Sequence, residues 1–181
     1  YEEVRAMFAK IEDKFGRVDI LVNNAAIYED STIWNMNPET WSKVINTDLT
    51  GIYNCTKFAS RMMKNNDYGR ILNMSSVVGQ TSSFGTSNYA AAKSGILGFS
   101  RVVATELARY NVTVNTLSLG FIDTGMLHKL SEEIRKKILN EIPIRRWGSV
   151  DEVIHAASFL CSDEAAYITG QSINLNGGYL M

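Results

Sequence analysis

Residues Asn88–Phe99 read NYAAAKSGILGF, a tyrosine and a lysine four residues apart in a frame of small side chains. At that spacing the two side chains share one face of a helix and can interact. An ammonium beside a phenol favours the phenolate and lowers the tyrosine pKa from its usual value of about 10. A phenol tuned in this way gives and takes a proton near neutral pH. Ala90, Ala91, Ala92, Ser94 and Gly95 leave the backbone around the pair open to a ligand or a neighbouring helix. A Tyr-x-x-x-Lys pair also occurs on ordinary surface helices, so its surroundings in the chain decide what it means.

Working outward, Arg70–Ser75 (RILNMS) reads as a buried strand that ends at Ser75-Ser76, thirteen residues before Tyr89. Parallel sheets gather their ligand-binding residues at such strand ends. A polar loop follows to Thr86, then a helix over Ser87–Tyr110 and the strand VTVNTLS. Nearer the start, Val4, Phe8, Ile11 and Phe15 repeat at helical spacing up to Gly16, and Ile20–Asn23 is a short apolar strand. Asn37-Pro38-Glu39 has the form of an N-cap, a first-turn proline and an acidic first turn, opening a long helix to about Lys64. Ser149-x-x-Glu152 is a capping-box pattern for a helix to about Cys161, and SINLN is a last strand. Helices thus alternate with strands apolar on both sides, which predicts an α/β fold with a parallel sheet and helices on both faces. The segment Gly120–Gly148 breaks the rhythm and carries its own charged helix around SEEIRKKILNEI. It reads as a lid over a ligand site, the other reading being a solvated surface helix.

Composition narrows the function classes. A chain of 181 residues with 45% hydrophobic and 20% charged residues suits one globular domain, 1–181. The net charge of −1 makes no electrostatic case for nucleic acid or an anionic membrane. No run has the apolar length of a membrane span, and the charged, amphipathic start is unlike a signal peptide. Cys55 and Cys161 lie far apart and read as reduced packing residues, and the isolated His128 and His155 give no metal-ligand spacing. A cytoplasmic protein without a metal is expected.

The pieces in order are DILVNNA, RILNMSS, NYAAAK, VTVN with a glycine-containing turn, IPIRRWGSVDEV, DEAAYITGQ and NLNGG. Together, over essentially the whole chain, they resemble the short-chain dehydrogenase/reductase family. The resemblance implies a Rossmann-like doubly wound sheet and an NAD(P)-dependent oxidoreductase. It implies that Ser76 hydrogen-bonds a substrate carbonyl and Tyr89 is the general acid, with Lys93 lowering the phenol pKa and holding the nicotinamide ribose. Asn24, Tyr89, Lys93, Ile122 and Thr124 would bind the cofactor, NADP(H) rather than NAD(H). Within the family the pattern is similar to that of 3-oxoacyl thioester reductases, whose substrates are carried on acyl carrier protein or coenzyme A. Gln80 and Phe84 stand where acetoacetyl-CoA reductases similarly carry glutamine and phenylalanine, so both join Ser76 as substrate residues. Carrier-docking arginines are replaced by Asn66-Asp67-Tyr68 at one position, and Arg109 is one place off at the other, which leans toward the coenzyme A side. Assembly as a homotetramer through helices at Pro38–Lys64 and Ser87–Tyr110 is implied too.

The chain also departs from the family pattern. It starts at the helix before the family's fourth strand, so the N-terminal strands and the glycine-rich phosphate turn are absent, and a partial sequence is expected. The strand Ile20–Asn23 would then present an apolar edge. The asparagine of the family's catalytic tetrad, which helps hold a helix kink and a relay water, falls on Asp48, which loses the amide donor and adds a charge. NNAG is NNAA, with Ala26 in place of glycine. The turn after VTVNTLS is Leu119-Gly120, and the usual TDM is Thr124-Gly125-Met126. A sugar or polyol dehydrogenase of the same family, or an inactive fragment that only associates with partners, are the alternatives.

Overall fold

Every residue from Gly69 to Ser75 is buried, as a strand covered on both faces must be. In the computed structural model, which describes residues 1–125, 127 and 131–181, this is the second strand of a four-stranded parallel sheet. β1 (Ile20–Asn23), β2 (Gly69–Ser76), β3 (Val112–Leu119) and β4 (Ser172–Leu175) lie side by side in chain order. Asn23 pairs with Asn73, Ser76 with Leu119 and Leu119 with Leu175, so the C-terminal ends of β2, β3 and β4 finish level along one rim.

The period-2 alternation of β2 sorts the helices into two layers. Ile71 faces Phe8 of α1 (Glu2–Phe15), Ala59 and Met63 of α3 (Gly51–Asn66), and Ala104 and Leu107 of α4 (Ser87–Leu107). Leu72 and Met74 face the other way, onto Leu160 at the end of α6 (Val150–Leu160). Cys55 and Cys161 pack against these two clusters as free thiols, and burial pushes both thiol pKa values up. At the far end of the sheet Arg70, 1% exposed, donates to the carbonyls of Gly69, Asn111 and Ser162 and pairs with Asp163, clamping the turn after α6 to β2.

The strands fall where the hydrophobic runs predict, but the long helix from Pro38 does not run unbroken. It divides into α2 (Pro38–Ile45), capped by Asn37 Oδ1 at 2.7 Å from Thr40 N, a π-helical turn at Asn46–Thr50, and α3. Such single widened turns often mark functional sites, and this one carries Asp48 into the interior with no exposed surface. Over Gly120–Gly148, paired backbone bonds close the base, Gly148 N–H to Phe121 O at 3.0 Å and Asp123 N–H to Gly148 O at 2.8 Å. Its helix, α5 (Glu132–Glu141), is capped by Ser131 and has no buried residue, so that helix is solvated. Met126 and His128 lie outside the described residues. Among the described residues no helix is long and apolar enough to cross a membrane.

Candidate active site

Ser76 ends β2 on the rim and turns the chain. Its Oγ accepts the Val78 N–H at 3.2 Å, capping the short turn Val77–Gly79, and its hydroxyl acts on the Tyr89 phenol to lower that pKa. Tyr89 stands in the first turn of α4, and that turn is held by a residue to which the sequence analysis assigns no role. Asn88, wholly buried, donates from Nδ2 to Glu29 O at 3.0 Å and accepts the Tyr89 N–H on Oδ1 at 2.8 Å. The loop after β1 is joined to the same point by Ser31 N–H to Gly85 O at 2.8 Å, and it brings the Tyr28 ring edge-on to Tyr89 at 5.3 Å.

Lys93 follows one turn along α4 and is 2% exposed. Its Nζ donates to Met74 O at 3.2 Å, lies 3.5 Å from Asp48 Oδ2, and stands 5.3 Å from the centre of the Tyr89 ring. Asp48 Oδ1 accepts the Ile27 N–H at 2.9 Å, so one carboxylate ties the loop after β1 to the lysine. The backbone around Lys93 is pinned as well, by Ser75 Oγ to Lys93 O at 2.9 Å and Ser94 Oγ to Gly79 O at 2.6 Å. A Cβ on Gly79 would sit 2.8 Å from the Lys93 carbonyl carbon, closer than real side chains come. Only glycine lets this turn lie on that helix.

One expectation is corrected here. The spacing predicts that Lys93 lowers the Tyr89 pKa, yet the phenol is pushed up to about 12. Burial is the largest cause, and the Asp48 and Tyr28 charges add to it against the opposing bond from Ser76. The ammonium faces Asp48 and Met74, so its charge is answered before it reaches the phenol. Burial lowers the Lys93 pKa in turn, and Asp48 raises it.

The other predicted residues sit as follows. Asn24 is exposed just past β1, while Asn23 is buried and structural, its Nδ2 donating to Asn73 Oδ1 at 2.7 Å and Thr56 Oγ1 at 3.2 Å. Ile122 and Thr124 follow β3, Ile122 bridging to Gly148 and lining a cavity of about 100 Å³ with Ile142, Ile144 and Leu175. Thr124 is exposed. Gln80 Nε2 donates to Asn174 Oδ1 at 2.8 Å, toward β4. Phe84 is 84% exposed, with its ring against Trp34. Ala26 is exposed too, so the missing glycine there crowds nothing.

The donor set fits a nicotinamide nucleoside: an ammonium and a phenol on one helical face can meet the vicinal hydroxyls of a ribose. A family model described as enoyl-(acyl carrier protein) reductase matches residues 1–180. With that match, the parallel α/β sheet and the Ser76, Tyr89 and Lys93 cluster on its rim, the chain belongs to the short-chain dehydrogenase/reductase family of NAD(P)-dependent oxidoreductases. It is 43% identical over 178 residues to the 3-oxoacyl-(acyl-carrier-protein) reductase FabG of Escherichia coli strain K12, spanning 98% of this chain and 73% of that protein. To the reductase of the same name from Vibrio cholerae it is 45% identical over 180 residues, spanning 99% of this chain and 74% of the relative. Nodulation protein G of Azospirillum brasilense is 44% identical over 178 residues, spanning 98% and 72%.

Proposed function

We propose that the chain reduces 3-oxoacyl thioesters to 3-hydroxyacyl thioesters, with NADP(H) rather than NAD(H) as the redox partner. The observation that carries this is the placement of Ser76 at the end of β2 and Tyr89 in the first turn of α4, near enough for the Ser76 hydroxyl to act on the phenol, with the Lys93 ammonium 5.3 Å from the Tyr89 ring. The bound nicotinamide supplies the hydride, which goes to the carbonyl carbon. The protein's share is acid chemistry and placement. Ser76 Oγ accepts from Val78 N–H, which leaves its own rotatable O–H to donate to the substrate oxygen. Tyr89, fully protonated at neutral pH, passes its proton to that oxygen as negative charge develops there. Carbon gains the hydride, oxygen gains the proton, and the ketone becomes a secondary alcohol.

Lys93 and Tyr89 hold the ribose, and Asn24, Ile122 and Thr124 line the rest of the nicotinamide end. Gln80 and Phe84 flank the entry of the acyl group, and the segment 120–148 covers it. The relatives' names give an acyl-carrier-protein thioester as their substrate, and coenzyme A is the other carrier that this reading admits. The assembly is a homotetramer, with α4 as one contact: Ala91 and Ser94 are exposed along it and open space surrounds Gly98.

Oxidation of NADPH with acetoacetyl-CoA, compared with glucose, tests the reading. Turnover with the thioester alone, lost in Tyr89→Phe, is the expected result. Turnover with glucose, or an undiminished rate in Tyr89→Phe, would overturn it.

A further inference from the structure

Asp48 is the one place where a full negative charge is buried against this constellation. Its carboxylate has no exposed surface, one oxygen taken by the Ile27 N–H at 2.9 Å and the other facing Lys93 Nζ at 3.5 Å. That second oxygen has no hydrogen bond, only the ion pair. The carboxylate keeps the lysine charged against the burial that works to strip its proton.

We propose that Asp48 is a positioning residue that retains protons in the site, holding Lys93 as an ammonium and Tyr89 as a neutral phenol, and so commits the site to proton donation. The argument rests on the functional reading above for its meaning, but not for its test. An anion raises the proton affinity of every titrating group near it. Lys93 is 3.5 Å away and the Tyr89 ring lies just beyond it. The other groups facing the pair are few. From the loop after β1 come Tyr28 and, acting on Tyr28, Asp30, while from β2 come the Ser76 hydroxyl and the Met74 carbonyl. Glu29 is turned outward to Lys43. Nothing cationic apart from Lys93 offsets Asp48 among these groups. An asparagine at position 48 keeps the oxygen that accepts the Ile27 N–H, removes the charge, and puts an amide NH2 in place of the oxygen that faces Lys93. A phenol that keeps its proton is available to protonate the substrate oxygen as reduction proceeds.

The test is an alkaline spectrophotometric titration of the chain, with the curve of Tyr89→Phe subtracted to isolate the Tyr89 phenolate. In the unsubstituted protein Tyr89 should give no phenolate signal at pH 10. In Asp48→Asn the Tyr89 midpoint should fall by about half a pH unit or more, because a nearby anion that favours the protonated phenol is gone. Should Asp48→Asn fail to fold, Asp48→Ser, which also removes the charge, is titrated in its place and is expected to show the same fall. A folded Asp48→Asn protein with an unmoved Tyr89 midpoint overturns the proposal, and would assign Asp48 to holding the Ile27 amide alone. None of these readings needs turnover, so a failure to reduce 3-oxoacyl thioesters would leave a separate mark.

Discussion

Burying the Tyr89 phenol leaves a signature in alkaline solution. In the unfolded chain the phenol ionises near pH 10, whereas in the fold it holds its proton to about 12. The native state therefore binds more protons between those values, and stability must fall as pH rises through that window, while below it the contribution is intact. The loss is of order 2 kcal/mol, and Tyr89→Phe should be spared it. Urea unfolding of both proteins at pH 8 and pH 11 measures the difference, and a parallel decline would show that the phenol is not held neutral. Gly79→Ala is the second change argued from a single residue. Its methyl group would push the Val77–Gly79 turn off the Lys93 backbone, at a cost of about 1–3 kcal/mol. A thermal melt reads the cost, and an unchanged melting temperature would place the turn elsewhere. The Tyr89–Lys93 pair was legible because its spacing is local. Gly79, Asn88 and Asn23 were not, since their partners (Lys93, Glu29 and Asn73) are distant in the chain or reached only through a turn. The direction of the Tyr89 shift was hidden because its largest cause is burial, which only the assembled fold decides, and Asp48 adds to it from another helix.

Among the elements, strands could be read because two-sided burial demands unbroken apolar runs, and α6 because Ser149 and Glu152 form a reciprocal capping box. Removing the cap with Ser149→Ala should cost about 1 kcal/mol, read as a lower urea midpoint with unchanged slope. The division of the helix after Pro38 could be read only through the family resemblance, which implies a kink at Asp48, and not from the helical pattern itself. Nothing in INTDLTG breaks a helix locally, and the widened turn serves contacts of Asp48 with Ile27 and Lys93. A polar chain inside the core also joins elements that the hydrophobic pattern treats separately: Asn23 on β1 to Asn73 on β2, and Asn73 Nδ2 to Ser100 Oγ on α4 at 2.9 Å. Asn73→Leu would leave Asn23 with Thr56 as its side-chain partner and take from Ser100 the amide that donates to it, and should cost about 1–3 kcal/mol. Equal stability in chemical denaturation would mean that these groups find other partners.

Across the whole molecule, apolar surface is exposed on the sheet edge and on helix faces, as well as in loops at Trp34, Phe84 and Tyr167. Ile20 and Val22 on β1 are 50% and 45% exposed, the apolar edge that the sequence predicts. On α4, Ala91, Ser94 and Val102 are exposed and Gly98 has room around it. If α4 pairs with its copy in the tetramer, Gly98→Arg should lower the sedimentation mass while leaving the circular dichroism spectrum unchanged, because the fold itself has space for the side chain. An unchanged mass would remove α4 from the contact. The central claim is narrower: two hydroxyls, Ser76 and Tyr89, act on one substrate oxygen. The kinetic cycle of Ser76→Ala, Tyr89→Phe and the double variant with NADPH and acetoacetyl-CoA measures it directly. Groups that work as a unit give strongly non-additive losses, so the double variant should be scarcely slower than Tyr89→Phe alone. Losses that multiply, or a single variant as fast as the unsubstituted protein, would contradict the account.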